Sequence, residues 1–245
     1  KLHLRKNKIL LKDNFNLFFT MFLAFIINYI FHFYVGRTLG PEDYGTFGVL
    51  LSIVYIIVMP LMAIQTTLSK YVAELNAKNE RSKLYYLFCK SLKKLGVFGL
   101  IVSVVFLVLS PLLSSFLKIE IISPLIILGS SIAFAFLVPV VRGFLQGLQR
   151  FKLLGLTFLI ESLSKIFLGI PLVFFGFGIN GAISGFALSF ILPLFILFYF
   201  MKGGFFKEQG RKFNTSQVYR YSFPVLVMLV VLTGLYSWDV VLVKR

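Results

Sequence analysis

The chain of 245 residues is 58% hydrophobic and only 14% charged, with a mean hydropathy of +0.91, whereas a soluble domain carries about a quarter of its residues charged. Too few polar side chains are present to coat a water-soluble globule, so the lipid bilayer is the solvent that suits this chain. The formal charge of +16 is of a size that could suit nucleic acid, but the basic residues sit between long apolar runs rather than on one soluble face, which argues against that partner.

A helix crossing about 30 Å of hydrocarbon needs about 20 apolar residues. Seven runs meet this requirement, at 15–36, 45–69, 95–117, 121–141, 153–175, 179–201 and 221–243. The short alternating segments of an outer-membrane barrel are absent from the sequence. The predicted fold is therefore all-α, a polytopic helical membrane protein of about seven transmembrane helices. The first run is too long for the apolar core of a cleavable signal, and no small-x-small cleavage pattern follows it, so it reads as a true span. The chain starts at Lys1 rather than Met and ends with Lys244-Arg245 directly after an apolar run, which suggests a piece of a longer protein.

Orientation follows from the basic residues of the loops. Twenty of the 25 Lys and Arg fall in 1–14, 70–94, 142–152 and 202–220. Arg37, Lys118, Lys244 and Arg245 fall on the other side, and Lys165 lies inside a span. This split places the N-terminus in the cytoplasm. The outward loops, near 37–44, 118–120 and 176–178, are too short for a folded domain. The 70–94 loop interleaves Tyr71, Leu75, Leu84, Leu87 and Phe88 with Lys and Arg. It reads either as an amphipathic helix on the inner leaflet or as extensions of the second and third spans.

Charged side chains inside a span cost several kcal/mol, about 2.5–3.5 on insertion scales, and face a cavity or a partner. Glu161 and Lys165 are four apart in the fifth span, with Glu on the N-terminal side. At 1.5 Å per residue Lys165 is about 18 Å from the inner edge, near the midplane. Thr157 precedes Glu161 by four, so Thr157, Glu161 and Lys165 form one polar stripe. The stripe is either the wall of a hydrated substrate path or a self-neutralised pair between helices. Asn28 and His32 share a face of the first span. A lone His makes no metal site without further ligands, so no metal is expected, and a lumen-facing or helix-bridging polar pair is the better reading. In the second span Ser52, Tyr55, Met59, Met62, Thr66 and Ser69 form one stripe at steps of three and four, lining a cavity or forming an ordinary helix seam. Pro60, Pro139, Pro171 and Pro193 fall inside spans, where neighbouring groups can re-satisfy the freed carbonyls. Gly181, Gly185 and Ser189 form a small-residue packing ridge in the sixth span.

Several apparent motifs lack their context. Gly176-Phe-Gly178-Ile-Asn-Gly181 spells the dinucleotide fingerprint but has no βαβ setting, and reads as a turn between spans. Asn214-Thr215-Ser216 is a sequon on the side assigned to the cytoplasm. The single cysteine, Cys89, permits no internal disulfide. No Walker motif, nucleophile elbow or Cys/His cluster occurs, and the chain is not expected to be an enzyme.

Three stretches together resemble the polysaccharide transporter and oligosaccharide flippase family of the multidrug/oligosaccharidyl-lipid/polysaccharide exporter (MOP) superfamily. They are Gly36-Arg37-Thr38-Leu39-Gly40-Pro41-Glu42-Asp43-Tyr44-Gly45, Arg142-Gly143-Phe144-Leu145-Gln146-Gly147-Leu148-Gln149-Arg150-Phe151 and Gly176-Phe177-Gly178-Ile179-Asn180-Gly181-Ala182. The resemblance implies two six-helix lobes around a central cavity, with residues 1–220 as the first lobe and 221–245 as the opening span of a truncated second. It also implies a protein of the cell membrane that moves lipid-linked oligosaccharide or polysaccharide precursor from the inner to the outer leaflet by alternating access. Membrane lipids and glycan-assembly enzymes would be its partners, and Na⁺ or H⁺ coupling, known in related exporters, would replace any organic cofactor. On that reading Lys165 faces phosphate, and Glu161 neutralises it or takes a coupling proton. Asn28, His32 and Thr157 line the cavity. Arg37 either receives phosphate at the outer mouth or, as the preferred reading, caps the Gly-Pro turn and pairs with Glu42 or Asp43. Asp239, near the outer end of the seventh span, is a second coupling candidate that could pair with a basic residue. The alternative is a cation-coupled multidrug-type exporter of small molecules, which would favour an acidic or aromatic cavity. A polymerase or ligase would need larger outward loops.

Overall fold

A computed structural model describes the backbone of residues 2–195 and 227, and side chains from Asn14 onward. The seventh apolar run, the 202–220 segment and the sequon lie outside the described residues, apart from Val227 in a helical conformation. The described part is built from helices.

The first, α1 (Leu2–Val58), is two helices joined at Gly40, whose φ of 77° and ψ of 176° break the helical path. Pro41 follows at once and cannot donate to the preceding turn. Along an unbroken helix Phe31 and Phe47 would be about 24 Å apart, yet their ring centroids are 6.2 Å apart. The two arms therefore form a hairpin and supply the first two crossings. The second arm pauses at Met59–Pro60 and continues as α2 (Leu61–Ala77). After a tight turn α3 (Arg81–Phe116) makes the third crossing. The fourth is α4 (Ser123–Ala135) with α5 (Val138–Gly147), interrupted at Phe136–Leu137 before Pro139. The fifth is α6 (Phe151–Ser164), a π-helical stretch Lys165–Gly169, the short α7 (Ile170–Leu172) and a second π-helical stretch Val173–Phe177. The sixth, α8 (Gly178–Ile191), runs into a 3₁₀ turn over Leu192–Leu194 that contains Pro193.

Pro60, Pro139, Pro171 and Pro193 thus lie at or beside irregular backbone, whereas Pro111 sits inside the continuous helix α3. The extension of α2 to Ala77 and the start of α3 at Arg81 decide the two readings of the 70–94 loop. It consists of helix extensions joined by a three-residue turn, and no separate interfacial helix is present there.

Three reversals share one device. Asn79, Lys118 and Gln149 have φ of 58°, 53° and 56°. In each case the next residue's N–H reaches back five residues, Glu80 to Leu75, Ile119 to Ser114 and Arg150 to Leu145, at 3.0, 2.9 and 2.8 Å. This left-handed helix stop satisfies carbonyls that would otherwise be orphaned.

The bundle packs through small residues, as helices in lipid do when apolar contact alone gives no preference between protein and tails. On α3 the buried face carries Ser91, Gly99, Ser103 and Ser110, while Val97, Leu100, Val104, Val108 and Leu112 point outward. A side chain at Gly99 would meet Phe136 at 2.8 Å, and Ser103 Oγ donates to the carbonyl of Gly129. The most extensive packing is α2 on α5, α3 on α4, α1 on α6 and α4 on α8. Gly143 and Gly147 of α5 lie against the backbone carbonyls of Gln65 and Ser69 on α2. Gly185 lies against the backbone of Gly169, and Gly181 against that of Leu172. The main core joins Phe31, Phe47, Leu50 and Val54 of α1 to Leu128 and Ile132 of α4 and Ile183 of α8.

Candidate functional site

A cavity of about 420 Å³ opens among the second arm of α1, α2, α5, α6 and α8. Its apolar wall includes Val54, Met59, Met62, Val138 and Phe190, and its polar groups are Tyr55, Gln65, Arg142, Glu161 and Lys165. In lipid such a concentration of ionic groups persists only where they satisfy one another or line a hydrated space.

The ionic groups form a ladder. Arg142 Nη2 donates to Glu161 Oε2 at 2.6 Å, and Lys165 Nζ donates to Glu161 Oε1 at 3.2 Å. Two cations thus share one carboxylate, leaving the cluster with a net positive charge. Arg142 Nε donates to Thr157 Oγ1 at 3.2 Å, and its guanidinium stacks on Phe158 at 4.0 Å from the ring centre, the planar contact that suits arginine. The Lys165 ammonium is 5.0 Å from the centre of the Phe186 ring, within cation–π range. On its other side it donates to Asn28 Oδ1 at 2.9 Å. Asn28 Nδ2 donates to Ser162 Oγ at 2.7 Å and to the Ala24 carbonyl at 2.9 Å, which fixes the amide's orientation and ties α1 to α6.

Local sequence explains these positions. Lys165 opens the first π-helical stretch, where the helix widens ahead of Pro171. Glu161 and Thr157 sit one and two turns earlier on the same face. Arg142 follows Pro139 by three residues, inside α5. Charge counting places Arg142 in the basic loop 142–152, and its position inside α5 corrects this. The loop is only Leu148–Arg150, and Arg142 lies about 12 Å deeper along the helix. The signal available in the sequence was an unbroken helical pattern from Pro139 through Gly147, with Arg142 and Gln146 four apart on one face. Gln146 indeed continues the ladder toward the basic end, within 3.3 Å of Gln65 on α2.

Of the residues singled out from sequence, Glu161 and Lys165 line the cavity, Thr157 is fully buried behind Arg142, and Asn28 holds Lys165. Tyr55, Met59 and Met62 of the second-span stripe are on the cavity wall. His32 lies one turn beyond Asn28 toward Gly40, near the Tyr44 hydroxyl at 3.4 Å and packed on Phe47, away from the cavity wall. Arg37 is exposed near the Gly40 turn with its guanidinium 5.7 Å from the Phe33 ring. The expected ion pair of Arg37 with Glu42 or Asp43 does not form among the described residues, and Glu42 and Asp43 instead line a separate small cleft with Lys118 and Glu120. Asp239 lies outside the described residues. Among the described residues no group of three His, Cys, Asp or Glu side chains comes together in a way that could hold a metal ion.

Among the described residues, long apolar helices with breaks, packed around an ion-paired cavity, define a multi-pass helical membrane protein. Residues 10–245 match the polysaccharide biosynthesis protein family, and the chain belongs to that family. It is 26% identical over 188 residues to the stage V sporulation protein B of Bacillus subtilis (strain 168), covering 69% of this chain and 35% of that protein. Its fold is similar to an outward-facing multidrug resistance MATE family transporter of the MOP superfamily, with a TM-score of 0.72, 17% identity and coverage of 89% of this chain and 52% of that one. It is equally similar to a MATE protein in complex with MaD3S, at a TM-score of 0.72 and 17% identity over 89% of this chain and 53% of the other. The chain thus spans about a third of the sporulation protein and about half of the two solved structures. The family match spans nearly the whole chain, and the likeness to the two solved structures is one of fold.

Proposed function

We propose that the chain supplies the first lobe of a transporter in the cell membrane that moves lipid-linked oligosaccharide or polysaccharide precursor from the inner to the outer leaflet by alternating access. On this reading residues 1–220 form that lobe, 221–245 open a second, the N-terminus is cytoplasmic, and glycan-assembly enzymes work beside it. The observation that carries the proposal is the cavity in which Arg142 and Lys165 share the single carboxylate of Glu161. A lipid-linked sugar phosphate is anionic, and its headgroup faces a steep desolvation cost in hydrocarbon unaided. A wall with surplus positive charge lowers that barrier, while the lipid tail stays in the bilayer.

The ladder suggests how a headgroup enters. Phosphate oxygens compete with the Glu161 carboxylate for Arg142, which offers a planar fork, and for Lys165, which offers a compact point charge. Glu161 keeps the two cations from repelling one another when the cavity is empty, and as it is released it becomes available for a coupling H⁺ or Na⁺. Met59, Met62 and Phe190 give the sugar and the proximal lipid an adaptable surface. Rocking of two lobes about a midplane site then exposes the cavity to either side. On this reading Arg37, exposed near the Gly40 turn, would meet phosphate on exit.

The experiment is a competition between substrate classes. The full-length protein in proteoliposomes is offered a labelled lipid-linked glycan and a cationic drug. The proposal expects glycan movement that excess drug does not inhibit. Movement of the drug alone would favour a multidrug-type exporter instead.

A further inference from the structure

We propose that a second cavity, on the outer side of the bundle, binds an anionic membrane phospholipid, with an acyl chain packed over Gly96 and the headgroup phosphate paired with Lys93. This cavity measures about 550 Å³ and lies between α3, the α4–α5 junction and the end of α8. Leu92, Gly96, Phe134, Leu137 and Leu194 line it, and Lys93 is the charged residue on its edge.

Gly96 provides the room. Among the described residues a side chain built there would meet only Leu137 Cδ2, at 3.5 Å, so these residues leave space over this glycine along an otherwise apolar groove. Lys93 provides the polarity. It is exposed on α3 beside Lys90 and Lys94, just before the outward-facing apolar stretch that begins at Val97. That places a cluster of ammonium groups at the depth where the headgroups of the leaflet at the basic end lie, and a hydrocarbon-lined slot directly beneath them. A phospholipid has this same order of charge above chain. An anionic headgroup complements Lys93, whereas a zwitterionic lipid offers the same chain without net charge. Selectivity is therefore assigned to Lys93 and occupancy to Gly96.

The groove shares a wall with the central cavity. Leu137, in the break between α4 and α5, faces the groove, while its neighbour Val138 faces the central cavity, and Phe134 and Ala135 divide in the same way. A bound chain thus braces the backbone break from behind. The assignment stands apart from what the central cavity carries.

The test uses the full-length protein extracted from nanodiscs containing equal phosphatidylglycerol and phosphatidylcholine, with retained lipids counted by native mass spectrometry. Wild type is expected to keep phosphatidylglycerol preferentially. Lys93→Gln should lower that preference about fivefold, the effect of one lysine near the headgroups, while still holding a lipid. Gly96→Leu should lower retention of both lipids, with thermal unfolding in detergent close to wild type because the side chain has space. Equal retention of the two lipids by wild type would overturn the proposal. Unchanged retention in both variants would also overturn it. A lowered unfolding temperature in Gly96→Leu with unchanged lipid would overturn it as well, because a protein segment would then fill the groove.

Discussion

Arg142 on α5 and Lys165 on the fifth crossing each hold one oxygen of Glu161, at 2.6 and 3.2 Å. The two cations come from different helices, so the carboxylate is a joint between α5 and α6 as well as a counter-charge. Removing one member of a buried ionic group strands the others, which costs about 3–5 kcal/mol, whereas replacing the whole group by packed apolar residues is often neutral. Glu161→Leu should therefore lower the thermal unfolding temperature markedly, and the triple variant Arg142→Leu, Glu161→Leu, Lys165→Met should recover most of the loss while abolishing transport. Unfolding followed by tryptophan fluorescence or by thiol accessibility in detergent checks both.

Asn28 binds Lys165 and Ser162 at once. Asn28→Ala removes two links between α1 and the fifth crossing, and a net hydrogen bond is worth about 1 kcal/mol. A stability loss of about 1–2 kcal/mol is expected, together with reduced glycan flux. Asn28→Asp keeps an acceptor toward Lys165 but cancels the surplus positive charge, so its flux should also fall although less stability is lost.

Glycines of α8 and α1 should respond in opposite ways. A side chain at Gly185 would run into the backbone of Gly169, whereas one at Gly48 finds nothing within 4 Å among the described residues. Gly185→Val should destabilise by about 1–3 kcal/mol, the usual effect of overpacking. Gly48→Ala should gain about 0.5–1 kcal/mol from helix propensity. Paired unfolding curves measure the difference.

Cys89 is exposed and is the only cysteine among these 245 residues, so with any cysteine outside them replaced it reports orientation. A membrane-impermeant maleimide should label it in inverted vesicles and leave it unlabelled in intact cells. Labelling from outside would reverse the assigned topology.

Much of this architecture was legible in the sequence because lipid imposes a simple requirement of about 20 apolar residues per crossing, and up to residue 195 the runs that meet it are helical apart from short breaks. Glu161 and Lys165 were legible for the same reason, since charge stands out against an apolar run. Arg142 was not. It lies at the edge of an apolar run, where charge counting assigns it to a loop, and only the continuation of α5 to Gly147 shows that it points back into the bundle. Arg37 shows the converse. Its neighbours in the chain, Glu42 and Asp43, suggested ion pairing, but the reversal at Gly40 sends them to a different cleft. Proximity along the chain predicts contact within a helix and fails across a break.

The central claim is that the surplus cation of the ladder meets the phosphate of the cargo. Its most direct test is the initial rate of labelled lipid-linked glycan movement in proteoliposomes of the full-length protein, for wild type, Lys165→Ala and Arg142→Ala at matched amounts of folded protein. The account predicts at least a tenfold fall in both variants, with partial return of rate in Arg142→Lys. Wild-type rates in Lys165→Ala and Arg142→Ala would contradict it.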